Sequence, residues 1–196
     1  MPAIIHPRLL ELPERFETDT LVLRAYRAGD GAAFFDAVGE DRKDLAQWLG
    51  WVDQHKTVND AEAAVRNNAG KWITRESLIM GIFSKDEKTL YGGTGFHGFD
   101  RKVPSCEIGW FLRKSARGQG IGSEAVRLCC QLAFEHIGAN RVWGTVDVLN
   151  ERSWRLFERV GFTREAHLRD DCRDHHGNVR DTFAYSILAR EWPNRI

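Results

Sequence analysis

Apolar positions change period along the chain, and those changes mark its elements. In "TLVLRAY" (20–26), Leu21, Leu23 and Ala25 alternate with the residues between them, which predicts a strand. Asp30 stands where it would cap a first helix running to about Val38. A second helix begins in "VNDAEAAV", with Asn59 and Glu62 spaced as a capping box and Val65, Ala69 and Trp72 continuing one apolar face. Strands follow at "SLIMGIF" (77–83), at the glycine-interrupted and hence bulged "LYGGTGFHGF" (90–99), and at "CEIGWFL" (106–112). Ile121, Ala125, Leu128 and Leu132 then recur at helical spacing between Gly120 and Ile137, and Gly138 supplies a stop. "RVWGTVDV" (141–148) reads as a strand. A short helix runs from Asn150 to Val160, ended by Gly161, with Phe162 placed to fold back on it. A hairpin closes the chain, with strands near 163–169 and at 182–189 around the turn "DHHGN".

Adjacent strands in sequence favour antiparallel pairing, while strand, glycine loop, helix and strand in the middle predict one parallel crossover. The fold expected is α+β in three layers: a mixed, mostly antiparallel sheet of about seven strands with helices on both faces. No repeat or linker interrupts the pattern, so residues 1–196 read as one domain with a loose lead-in at 1–18.

Composition narrows the function. Lys plus Arg total 28 and Asp plus Glu total 28, so there is no basic excess of the kind nucleic-acid binding calls for. No run reaches the roughly 18 apolar residues of a membrane span, and the N-terminus lacks a signal-peptide pattern, which points to a cytoplasmic protein. Cys106, Cys129, Cys130 and Cys172 have no metal-ligand spacing and are expected to be reduced thiols, with no metal bound.

The chemistry concentrates in "RKSARGQGIGSEAV" (113–126). Gly118, Gly120 and Gly122 fall within five positions at the mouth of a helix, behind Arg113, Lys114 and Arg117. A helix N-terminus carries unpaired N–H groups and the positive end of the dipole, so this loop suits a phosphate, seated on the amides of Gln119 to Ser123. A tight turn without ligand would use the same glycines. "GIGSEA" (120–125) also fits the dinucleotide pattern G-x-G-x-x-A, with Asp147 near the end of the next strand. Against that stand the partly cationic residues Arg113 to Gln119 before it and the lack of further strand–helix units after Val148.

"RGQGIG" (117–122) resembles the R/Q-x-x-G-x-G/A motif of the GNAT acyl-CoA N-acyltransferases, with "EIGWFL" before it and "NERSWRLFERVGF" (150–162) after the next strand. "LVLRAY" and "DTFAYSILAREW" resemble the branch that acetylates ribosomal-protein N-termini (alanine or serine). The resemblance spans about residues 18–192. It implies acetyl-CoA as co-substrate, its pyrophosphate on Arg117, Gly118, Gln119, Gly120, Ile121, Gly122 and Ser123, and its pantetheine beside Phe111, Leu112 and Arg113, where two strands would splay apart. Asn150 would contact the pantetheine and Arg159 the ribose phosphate. Both also have ordinary readings, as a helix N-cap and a solvated cation.

Attack on a thioester needs a neutral amine, so a base helps, and Glu107 on the strand before the loop is the candidate. An outward-facing charge is its alternative. Many family members use a tyrosine as general acid in the last helix. Phe157 holds that position here, leaving Ser153 to protonate the thiolate, and a backbone N–H near Phe111 to polarise the carbonyl. Cys129 and Cys130, mid-helix, read as packing, so transfer is expected to be direct. "DLAQWLGWVDQHK" (44–56) and Trp72 lie where relatives shape the acceptor pocket. The acceptor implied is the α-amine of a protein or peptide. A small-molecule amine, or a coenzyme-binding module without catalysis, is the alternative. Monomer and homodimer are both compatible with the sequence.

Overall fold

The computed structural model describes residues 9–100 and 102–194. Eight strands form one sheet in the order β1-β2-β3-β4-β5-β6-β8-β7. They are β1 (Arg15–Glu17), β2 (Leu21–Ala25), β3 (Leu78–Ser84), β4 (Leu90–Asp100), β5 (Ser105–Leu112), β6 (Arg141–Asp147), β7 (Thr163–Arg173) and β8 (Val179–Leu188). The helices are α1 (Gly31–Gly39), α2 (Arg42–Ala46), α3 (Val58–Thr74), α4 (Ile121–Gln131) and α5 (Glu151–Val160). Every neighbouring pair is antiparallel except β5 with β6, as the crossover requires.

The eighth strand is β1, which pairs Phe16 with Leu23 and so orders part of the expected loose lead-in. Residues 1–8 of that lead-in lie outside the described residues. Three residues are too few to carry an alternation signal, and α2, with five, shows no period either. The bulge expected in β4 is present, as a register shift opposite Ile82 and Phe83.

The sheet divides two cores by side-chain alternation. Leu21, Leu23 and Ala25 face α4 and α5 with Cys129, Cys130, Leu156 and Phe157, whereas Val22 and Tyr26 face α1 and α3 with Phe34 and Val65. Trp72, read as a possible acceptor contact, is 2% exposed within the first core and lines no part of the cleft described below.

The caps differ from expectation in an instructive way. Thr57 and Asp60 form the capping box of α3, two residues earlier than Asn59 and Glu62. Glu62 instead reaches across to α1 and accepts the N–H groups of Gly29 (2.9 Å) and Gly31 (3.0 Å). Asp30 makes no side-chain cap, because its carboxylate is taken by the buried Arg24 guanidinium at 2.8 Å. A buried charge needs its counterion more than a helix end needs a second acceptor. The helix expected to run to Ile137 is α-helical to Gln131 and widens into a π turn over Leu132–Ile137 before Gly138 ends it. Among the described residues, no helix is long and apolar enough to cross a membrane.

Candidate active site

The site begins where β5 and β6 part. Their parallel ladder holds at Ser105–Arg141, Cys106–Val142 and Glu107–Trp143, and then stops. Each strand keeps its outer partner: β5 pairs with β4 as far as Leu112–Gly92, and β6 pairs with β8 as far as Asp147–Thr182. The inner edges therefore diverge as the anticipated splay. A cleft of about 810 Å³ runs through it, from the mouth of α4 and α5 to α2 and the β7–β8 hairpin. At its apex, Gly144 allows close approach: a Cβ there would lie 3.0 Å from the Ile108 carbonyl oxygen and 2.8 Å from Phe157 Cζ.

The open edge of β5 carries unsatisfied backbone. Arg113 donates its N–H to the Tyr91 carbonyl at 2.8 Å, towards β4. Successive amides alternate in a strand, so Leu112 and Trp110 present theirs to the cleft. Phe111, where sequence reasoning located the polarising amide, turns its own N–H to β4. Its ring, 6% exposed, instead forms a wall packed on Phe34 (5.5 Å) and Trp51 (5.3 Å).

The three loop glycines serve different ends. Gly118 (φ 75°) and Gly120 (φ 85°) occupy left-handed torsions that favour glycine. Gly122 is a packing residue, since a Cβ would come within 2.8 Å of Leu156 and 3.1 Å of Leu112. The first helical donor to find an acceptor is Glu124 N–H, on Gly120 O at 3.1 Å. Among the described residues, no N–H from Gly118 to Ser123 has an acceptor within the chain, and the buried Ser123 hydroxyl has none either. Gln119 folds back, donating Nε2–H to Ser115 O at 2.6 Å. The result is a wall of unsatisfied donors at the positive end of α4, suited to an anion.

The sequence reading put Arg113 beside the pantetheine and Arg117 on the pyrophosphate loop; the structure holds both guanidinium groups in ion pairs. Arg113 Nε donates to Glu40 at 2.8 Å. Arg117 Nη1 donates to Asp41 (2.8 Å) and Asp44 (2.9 Å), while its Nε donates to Leu112 O at 3.1 Å. Their shared effect is to lash α1 and α2 to the loop. Arg113 beside Glu40, helped by the Ser115 N–H and hydroxyl, holds the Glu40 carboxyl down at about 2. A depressed carboxyl stabilises the fold above its unfolded value, near 4.3, and loses that contribution as pH falls towards its folded value. Glu40→Gln is accordingly expected to lower the melting temperature at pH 7, with the difference from the parent shrinking below about pH 4 and vanishing near pH 2. Equal differences at pH 7 and pH 2 in thermal melts would contradict this.

On α5, Asn150 and Ser153 both line the cleft, one turn apart, and Asn150 Oδ1 accepts the Ser153 N–H at 3.3 Å as an N-cap. Arg159 also lines it, exposed, with its guanidinium in no ion pair among the described residues. Phe157 is 2% exposed and stacked on Tyr185 at 5.0 Å. Glu107 sits one residue below the opening, outside the cleft lining, on the face opposite Cys106 and Ile108, with its carboxylate 3.7 Å from His97 Nε2. The cysteines of α4 are wholly buried, and burial pushes the Cys129 thiol up to about 12 and the Cys130 thiol well above its usual range. A thiol held protonated is no nucleophile.

At the far end Trp48 and Leu49 face Asp147, Cys172 and Asp174 across the cleft. The tryptophan was legible in sequence as part of 44–56, whereas the hairpin wall comes from β7 and β8, next to β6 in the sheet, and had no local signal. Burial opposes the charge on Asp174, yet hydrogen bonds from Asn178 and Arg180 win and hold its carboxyl well below the usual range. His175 and His176 are exposed in the turn.

Residues 20–163 match the model of the acetyltransferase (GNAT) domain. The chain is 28% identical over 172 residues to YoaA, an uncharacterized N-acetyltransferase of Bacillus subtilis (strain 168), covering 88% of this chain and 95% of that one. It is 25% identical over 180 residues to the [ribosomal protein uS5]-alanine N-acetyltransferase of Escherichia coli (strain K12), covering 91% and 92%. The fold superposes with a TM-score of 0.81 on a RimL ribosomal L7/L12 α-N-protein acetyltransferase in complex with coenzyme A, at 21% identity over 90% of this chain and 97% of that one. With an acetyltransferase model spanning most of the chain, and a splayed sheet above an unsatisfied helix mouth, this protein belongs to the GNAT family of N-acetyltransferases.

Proposed function

We propose that the protein transfers an acetyl group from acetyl-CoA directly to the N-terminal α-amine of a protein or peptide. The observation that carries the coenzyme assignment is the run of acceptorless amides from Gly118 to Ser123, beside the orphaned Ser123 hydroxyl and below an open strand edge. These donors fit a diphosphate and an amide-bearing arm. Bound there, acetyl-CoA supplies an activated thioester. Resemblance to enzymes named for acetylating ribosomal-protein N-termini supports the peptide acceptor.

In this reading the chain's residues divide the work. The loop amides and Ser123 hold the pyrophosphate, with Arg159 available to the ribose phosphate. Trp110 and Leu112 offer N–H groups to the pantetheine and to the thioester carbonyl, while Asn150 meets the pantetheine beside its capping duty. Ser153 protonates the departing thiolate. Glu107, too low on β5 to form a wall of the cleft, takes the amine's proton through water, and His97 beside it gives that proton a way out to solvent. Phe34, Trp51 and Phe111 keep the adjacent face dry.

The test is thiol release from acetyl-CoA against a panel of N-terminal peptides and small amines. Turnover with peptides is expected; turnover confined to small amines would overturn the acceptor assignment. Ser153→Ala and Glu107→Gln are each expected to lower kcat by about 10- to 100-fold, the usual scale of one acid–base group, with the dissociation constant of coenzyme A unchanged. Rates within twofold of the parent would remove these residues from the mechanism.

A further inference from the structure

Three carboxylates from one short stretch hold the cleft together. Glu40 takes Arg113 at the end of β5, Asp41 takes Arg117 on the coenzyme loop, and Asp44 bridges Arg117 (2.9 Å) and Arg152 of α5 (2.8 Å). Of the three, only Asp44 lines the cleft. Its carboxylate faces a space whose amides call for an anion, and it occupies Arg152, a cation that would otherwise attract one, while sharing Arg117 with Asp41. Directly after it, Leu45, Gln47, Trp48 and Leu49 form the far wall. The helix they continue has only five residues, too short to hold its own position without such ties.

Resting on the coenzyme reading above, we infer that Asp44 is a positioning residue that joins the two ends of the cleft. Through Arg117 and Arg152 it fixes the acceptor-side wall against the coenzyme loop, and its charge lowers affinity for the coenzyme in doing so. Neutralising it separates two effects that a merely structural residue would move together. Coenzyme binding tightens because repulsion is lost and the Arg152 guanidinium is freed, Arg117 keeping its pair with Asp41, while the wall loosens.

The experiment compares the full-length parent, Asp44→Asn and Asp41→Asn. Calorimetry with coenzyme A is expected to show Asp44→Asn binding about five-fold tighter than the parent, the scale of one exposed pair. Hydrogen–deuterium exchange over residues 42–50 is expected to be faster in that variant. Asp41→Asn breaks a bond to the same Arg117 from outside the cleft, so it speeds exchange while coenzyme affinity stays within about twofold. Unchanged or weaker coenzyme binding by Asp44→Asn, or unchanged exchange, overturns the inference. If Asp44→Asn fails to fold, Asp41→Asn decides alone, with unaltered exchange counting against it. A parent that takes up no coenzyme A refutes the proposed function instead.

Discussion

Coenzyme A affinity is expected to fall by about 100-fold in Gly120→Val, with little change in thermal stability. Nothing lies within 4 Å of a Cβ at Gly120, so the substitution causes no clash, and its whole effect is torsional. At φ 85° a non-glycine residue is strained by about 1–2 kcal/mol, more when β-branched. The loop is exposed and relieves the strain by turning its peptide planes. That costs the fold little, but it swings the amides on either side away from a common focus. Losing one or two charge-assisted hydrogen bonds, at about 1.5–3 kcal/mol each, gives the expected factor. Calorimetry checks it. Binding within twofold of the parent would show that the focus of those amides is not where the pyrophosphate rests.

Phe157→Ala is expected to destabilise the protein by about 3–5 kcal/mol, read from denaturant midpoints. The ring is 2% exposed and meets Trp110 (4.6 Å), Phe162 (5.0 Å) and Tyr185 (5.0 Å), joining β5, α5 and β8 at the apex of the splay. The companion change Phe157→Tyr places a phenol where the family resemblance implies a general acid. It is expected to destabilise by about 1–3 kcal/mol without raising turnover. The ring tip, Cζ, is the atom nearest to where a Cβ of Gly144 would stand, so a hydroxyl on it must push on β6. Faster turnover at unchanged stability would show instead that the tip faces open space.

Both results turn on features of unequal visibility in the sequence. The glycine loop announced itself by density alone, and the long elements by periodicity, because burial on a sheet or helix face is a local demand on side chains. The capping of α1 by Glu62 was invisible, since its acceptor role depends on a helix 31 residues away in sequence. The ion pairs of Arg117 were hidden for the same reason: its charge suggested a phosphate, while its partners Asp41 and Asp44 arrive from a five-residue helix and its cap, with no period to betray them. Glu107 was correctly expected on β5, but alternation alone could not say which face it takes. The two sides of the cleft's far end, Trp48 and the β7–β8 hairpin, come together only when the whole sheet is assembled.

The parallel ladder of only three residue pairs also bears on how the molecule comes apart. Strands β1 to β5 and strands β6, β8 and β7 form two sections, each stitched internally by longer antiparallel ladders. Their seam rests on Ser105 to Glu107 and on the packing of α4 and α5. A mechanical pull or mild denaturant would open that seam first, and two protease-resistant fragments, meeting near the glycine loop, would be the expected remains.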